Sequence, residues 1–524
     1  MTDSFHTFND GFPDSGDAAW RKEVEKALKG GEFDTLIKTT LDGVVRGPLF
    51  TREDLAGLDS SGQPGHAPFV RGAHAERDQY MPWAIRQSVN APDPKVSNRQ
   101  ILEELEGGAS EIMLRLDPLG ETGTAVRTIE ELKQVLDGVL LDVAPIHLAP
   151  SRMSPQFAAL FVGFLEQSGL DLSKLRGGLG LSPIGQKSYA GGGAAELPER
   201  LKRTCEVAAY INSSLPNVQT VSITASAPHE AGGSEAQEIA FACAGGASYM
   251  RAFIDHGLSP DDAASALEFS FAVDADVHLT IAKLRAARQA WAKVAEAFGV
   301  SENQRYMRLH AISSGRMLAT QDAYTNLIRN TCAGLGAAAG GADSLTIRPF
   351  TEALGGSSAF ARRLARNLQV LLMEESHLGR VADPAGGSYL HETLGNRLAM
   401  AGWAIFQDIE RQGGLFETVK SGWFQTQIAE MRKKRHDLLT SGHEAMIGVT
   451  RYPNPDAKEP NLDRHAFTPD QLDGPIIEPQ SFAEKVEAAK SGAHVRVLEA
   501  PEPEWAPVAP VRTAAPFESE TDQA

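Results

Sequence analysis

The chain has 524 residues, 42% of them hydrophobic, and carries 68 acidic against 50 basic side chains, a formal net charge of -18. That balance argues against nucleic acid or an anionic membrane as the main partner, and no stretch approaches the roughly 20 apolar residues of a membrane span. The length suits two to four domains at about 150 residues each, or a single α/β barrel with extensions.

Cys205, Cys243 and Cys332 lie far apart with no CxxC pair, so three reduced structural thiols are expected rather than zinc ligands or a disulfide. The N-terminus, MTDSFHTFNDGFPDSGDAAW, is polar and acidic, unlike a secretory signal, and a cytoplasmic location is expected.

Residues 1–17, rich in Gly, Asp, Ser and Pro, read as a flexible lead-in. Trp20, Val24 and Leu28 in WRKEVEKAL share one helical face. The strand-like run TLIKTTLDGVVRGPLFT and the loop SSGQPGHAP follow, and this arm (1–75) is too poor in apolar residues to stand alone. From Glu111 short apolar runs alternate with helical patterns: EIMLRL, PIHLA, GGLGL, TVSITAS, LEFSFAV, RYMRLHAI and DSLTIR, closed by RVADP. Parallel neighbours need long crossovers, so the alternation predicts parallel strands with connecting helices, and eight runs fit a (β/α)₈ TIM barrel over 76–450. A doubly wound open sheet is the alternative, but no GxGxxG follows a strand. Ser259–Val300 reads as a long, strongly helical crossover. Its end, IAKLRAARQAWAKVAEAF, carries an apolar stripe with basic residues opposite, which predicts a solvated cationic face. From 451 to 524 the composition turns Pro-rich and predicts an extended tail that wraps a partner or stays mobile.

Several long stretches resemble methylmalonyl-CoA mutases in register. MPWAIRQ (81–87) resembles RPWTIRQY, and RRLARNLQVLLMEESHLGRVADPAGGSY (362–389) resembles SARIARNTQ…QEES…VADPWGGSY. Supporting matches lie at 281–292, at 310–331 and at VLDG (135–138). The resemblance implies a coenzyme-A ester threaded along the barrel axis and adenosylcobalamin across the C-terminal rim of the strands, where a closed cavity positions radical intermediates.

Checked residue by residue, the implied chemistry is mostly replaced. The arginine and tyrosine that bound RPWTIRQY correspond to Met81 and Ser88, while Trp83, Ile85, Arg86 and Gln87 persist, with Arg86 as good an ion-pair partner as a ligand contact. In the GLSPIGQKSYAGGG stretch the family's QND and carboxylate-binding arginine become Gly180, Leu181, Ser182 and Ala190, and a bidentate guanidinium has no neutral substitute. Nearby Lys187 could offer a point charge, but a solvated loop lysine is the default reading. YHMQEAG appears as SAPHEAG, which puts Ala227 at the histidine and His229 two residues on, on the same face if the stretch is a strand. HxQTSG appears as HAISSG, keeping His310 and placing Ile312 at the amide. The loop LDPLGETGTAV is shorter than in active enzymes. Arg86, Gln87, His229, His310, Glu374 and Glu375 remain as residual pocket candidates, with no catalytic residue and no metal site assigned.

The resemblance also implies a Rossmann-like cobalamin domain with DxHxxG, which nothing after Arg451 resembles; DVHLTI (276–281) is read as coincidence. The expectation is therefore a non-catalytic small subunit that binds no cofactor alone and pairs as a heterodimer with a large catalytic subunit holding adenosylcobalamin. The alternative is a substrate-binding subunit whose cobalamin domain is a separate chain.

Overall fold

The computed structural model describes residues 16–465, 467–470, 472–478, 481–497 and 502–521. Most of the lead-in predicted to be flexible therefore lies outside the described residues. Eight parallel strands close into a barrel in sequence order: β1 Ala84–Val89, β2 Glu111–Leu114, β3 Ile146–Leu148, β4 Gly177–Leu181, β5 Val218–Ile223, β6 Leu267–Val273, β7 Leu309–Ser313 and β8 Ser344–Thr346. Helices cover the outside, started by side-chain caps at Asp93, Thr128, Ser234, Asp276 and Ser358 that satisfy first-turn N–H groups. Asp276 of DVHLTI is thus a helix cap.

The strand count matches the expectation from sequence, but the first strand lies one unit earlier than the apolar runs suggest. β1 lies inside the MPWAIRQ stretch, where Arg86, Gln87 and Ser88 interrupt the apolar signal and only Ile85 and Val89 supply the alternation. RVADP is instead a bend and turn after the 3-10 turn Leu378–Arg380. GGLGL, TVSITAS and RYMRLHAI, the third, fourth and sixth of the apolar runs, accordingly hold β4, β5 and β7. Ser259–Val300 is likewise not one helical crossover: it comprises the helix Pro260–Ser265, β6 and the helix Val277–Ala297.

The basic face of Val277–Ala297 is not solvated. Lys283, Arg285 and Arg288 are each at most 3% exposed. Lys283 donates to Glu238 at 2.5 Å and Arg285 to Glu392 at 2.7 Å and to Asp383. Arg288 donates to the carbonyls of Val70 and Gly340. Helical periodicity cannot distinguish water from a second layer of protein, and here helices Glu235–Asp255 and Tyr389–Arg411 and the N-terminal arm form that layer.

The arm places its helix at Asp17–Ala27, with no buried side chain, and a two-residue hairpin at Lys38–Thr39 and Val45–Arg46. Arg46 pairs with Asp276 at 2.8 Å, and Val44, Phe69 and Val70 are buried. The tail, expected to be extended and to wrap a partner or stay mobile, wraps the chain's own barrel and contains the helix Phe482–Lys490 against helix Ser154–Gln167. Apart from the helix Phe482–Lys490, its contacts with the loops of the C-terminal rim come in strand order. Asp463 meets Ser357 after β8, and Asp470 meets Arg127 after β2. Arg496 meets Gln156 after β3, Glu504 meets Gly193 after β4, Val511 meets Glu230 after β5 and Thr513 meets Arg316 after β7.

Candidate functional site

Inward-facing positions of the strands bring a charged cluster to the barrel axis. Arg86 of β1 donates from Nε to Glu111 of β2 at 2.8 Å and grips Glu268 of β6 with both terminal nitrogens at 2.9 and 2.8 Å. His147 of β3 stands 3.3 Å from Glu111. Burial opposes the Arg86 charge, but the two carboxylates outweigh it and hold the guanidinium pKa up. Burial would likewise raise Glu268, yet Arg86 and His147 bring it down to about 2 and also hold Glu111 low.

Above this cluster lies a cavity of about 150 Å³ lined by Arg86, Met113, His147, Glu268, His310 and Ile312, among others. It is smaller than the roughly 300–1,000 Å³ of ordinary small-molecule sites. Gly178 and Gly180 of β4 form part of its wall; Gly180, at φ +63°, sits where any Cβ would run into the Leu148 carbonyl oxygen.

His310 is fully enclosed: Nδ1 and Ser344 Oγ are 2.8 Å apart, and Nε2 lies 3.3 Å from Thr346 Oγ1. Burial, then the nearby Arg86 charge, lowers its pKa to about 3 and keeps it neutral. His229 does not line the axis as a strand residue would. SAPHEAG is no strand: Ser226–Glu230 is a short helix after β5, so the two-residue alternation does not apply. His229 turns away from the axis, wholly buried, with Nε2 2.9 Å from Ser314 Oγ, and is not a surface group. Burial and the charges of Arg316 and Lys283 push its pKa well below the usual value.

The remaining candidates separate. Gln87 points outward, donating to Glu104 at 3.0 Å, and Glu104 also pairs with Arg366. Trp83 donates to Gln369 at 3.3 Å. The two stretches that carry the strongest resemblance thus pack on each other as framework. Glu374 and Glu375 are exposed at the C-terminal end of helix Ala359–Glu374, at the N-terminal end of the barrel where Gly379 meets Pro82, and are not pocket residues. Met81 is exposed before β1, whereas Ser88 and Ile312 sit on inward-facing strand positions. Ala190 and Ala227 lie in the helices Pro183–Ala190 and Ser226–Glu230 that follow β4 and β5. Lys187 is not solvated: it is 4% exposed and pairs with Glu196 at 2.7 Å.

Residues 39–479 match the family described as methylmalonyl-CoA mutase. The chain belongs to the methylmalonyl-CoA mutase family. It is 38% identical to the methylmalonyl-CoA mutase small subunit of Streptomyces virginiae, with 84% of this chain aligned to 71% of that one. It is 34% identical to the small subunit of Propionibacterium freudenreichii subsp. shermanii, over 84% of this chain and 69% of the relative. The methylmalonyl-CoA mutase of Escherichia coli is 31% identical, over 83% of this chain and 63% of its own length.

The C-terminal rim is where the family resemblance implies that a corrin would lie. Gly191 and Gly192 after β4 form a cradle without side chains, but the chain's own tail fills it. Glu504 and Trp505 donate their N–H groups to the Gly191 carbonyl, and a Cβ at Gly192 would strike the Glu502 carbonyl oxygen. The carboxylate of Glu504 accepts from the Gly193 N–H at 2.6 Å. This tail segment thus occupies the rim after β4. Among the described residues no helix is long and apolar enough to cross a membrane.

The axial cluster of Glu111, His147 and Glu268 is absent from the candidates that motif comparison supplies. A signal was available: each is the one charged or ionisable residue in a largely apolar strand, EIML, IHL and LEFSFAV.

Proposed function

We propose that this chain is the small, non-catalytic subunit of a heterodimeric methylmalonyl-CoA mutase. Its large partner subunit would hold adenosylcobalamin and interconvert methylmalonyl-CoA and succinyl-CoA. The observation that carries the reading is the closed barrel axis. Arg86, the guanidinium at its centre, is saturated by Glu268 and Glu111, so it has no free fork for a substrate carboxylate. Separating Arg86 from its partners to admit an acyl-CoA would leave buried charges unpaired at a cost of about 3–5 kcal/mol. Ser88 and Ile312 on the inner face offer no replacement for the groups that the resemblance implies there. The names of the small-subunit relatives support the same assignment.

The test is to purify the chain with and without a large mutase chain from the same cell. A 1:1 complex is expected, with activity that His310→Gln in this chain changes by less than about twofold. Succinyl-CoA should not raise the melting temperature of this chain alone. Isomerisation of methylmalonyl-CoA by this chain, supplied only with a cobalamin-domain protein and adenosylcobalamin, would refute the assignment in favour of a substrate-binding subunit.

A further inference from the structure

A second concave site lies outside the barrel axis. Helix Trp423–Thr440 carries the run Arg432–Lys433–Lys434–Arg435–His436, and its inner side meets the tail. Between them is a cavity of about 590 Å³, lined by Arg316, Arg432, Lys433, Arg435, His436 and Arg512, with Leu439 and Val511 among its apolar walls. Six basic groups facing one space are unusual on a chain of net charge -18.

Some of these groups are already committed. Lys433 pairs with Asp437, Arg512 with Glu518 and Arg316 with Asp274. Arg432 and Arg435 make no ion pair among the described residues; Arg435 donates one terminal nitrogen to the Gly233 carbonyl at 3.4 Å, while its Nε is shut off from solvent without an acceptor. Burial first, and then Arg435, lower the Arg316 pKa to about 10, against the opposing pull of Asp274, Glu235 and Glu230. Arg432 and Arg435, which have no carboxylate partner among the described residues, are the groups open to an added anion, and guanidinium forks match phosphoryl oxygens in geometry. The volume falls in the range of small-molecule sites, and the apolar walls suit a flat, uncharged moiety.

We propose that this cavity binds a nucleoside polyphosphate, its phosphates on Arg432 and Arg435 and its base against the apolar wall under the tail. The site does not depend on the subunit assignment, because none of its residues lies on the barrel axis. Since Val511 and Thr513 tie this tail segment to Glu230 and Arg316, an occupied site would also hold the tail in place.

Isothermal titration of the full chain with ATP, ADP, coenzyme A and tripolyphosphate tests this. ATP is expected to bind with a Kd below about 100 μM. The double variant Arg432→Ala/Arg435→Ala should weaken binding at least about tenfold, while the charge-matched Lys420→Ala/Lys434→Ala stays within about twofold. ATP should also slow tryptic cleavage after Arg512. Equal binding of ATP, ADP and coenzyme A would assign the site to their shared adenosine diphosphate moiety, and preference for ATP to free nucleotide; both support the proposal. Binding of tripolyphosphate as tight as ATP would overturn the nucleoside assignment. So would no heat up to about 1 mM ATP, equal losses in the two double variants, or binding of a poly-glutamate peptide in place of ATP.

Discussion

The floor and the rim of the barrel are both closed, but by different means. At the floor, side chains of the strands themselves close the axis: Arg86, Glu111 and Glu268 come from β1, β2 and β6 and tie distant parts of the barrel together. At the rim, the closing element is the tail, laid over a glycine cradle and held mainly by backbone hydrogen bonds to loops. A closure built from the strands can open only by damaging the barrel. One laid on from outside can lift while the barrel stays folded. Opening free energies across a protein range from near zero at loosely attached segments to the global value in the core, and floor and rim should fall near opposite ends.

The largest expected effect is at the floor. Arg86→Ala leaves Glu268 and Glu111 buried without their cation, which should cost about 3–5 kcal/mol in chemical denaturation. Arg86→Met, which fills space without charge, should be no better, because the two carboxylates remain. Adding Glu268→Gln and Glu111→Gln to it should restore much of the loss. If Arg86→Ala leaves the denaturation midpoint unchanged, the ion cluster is not what closes the axis.

A pH titration sharpens the same half of the comparison. His310, with a folded pKa of about 3 against an ordinary 6.5, stays neutral in the fold while the unfolded chain takes up a proton below pH 6.5. The depressed pKa means that this contribution to stability is present above pH 6.5 and is lost as pH falls towards 3. Between pH 6.5 and 5 it should amount to about 2 kcal/mol. His310→Gln should flatten the stability profile in that window. An unchanged slope would place the titrating group elsewhere, His229 being the next buried histidine with a depressed pKa.

The sequence shows the floor and the rim unequally. Seven of the eight strands were legible because apolar runs and helical periodicity are local. β1 was not, because its three polar residues make sense only when Arg86 meets Glu111 and Glu268 from strands 25 and 182 positions away. The buried faces of Lys283, Arg285 and Arg288 were missed for the same reason: charge predicts solvent until a partner carboxylate arrives from another element. The replaced positions Ser88, Ala190, Ala227 and Ile312 were readable by comparison of motifs. The side chains that now occupy the axis were not, since they sit in strands whose interiors no short motif covers. The tail's Pro-rich composition indicated extended chain, but composition carries no information about which surface such a chain follows.

The smallest effect on global stability is expected at the rim, in Gly192→Ala. The backbone at Gly192 does not require a left-handed conformation, so the substitution adds one methyl group and no intrinsic strain. That methyl would stand against the Glu502 carbonyl oxygen, a backbone atom that cannot rotate away, so the tail near 502–507 must shift. In a well-packed core such a collision costs about 1–3 kcal/mol. Here the chain can avoid it by releasing a surface segment, so the cost is capped by the free energy of local opening. The melting temperature should therefore barely move while proteolysis of the tail accelerates severalfold and amide exchange speeds up at Glu504, Trp505 and Val508, whose N–H groups bond the rim. A global loss of stability as large as that of Arg86→Ala would mean that the tail is as integral to the barrel as the axial charges, and floor and rim would be one cooperative unit.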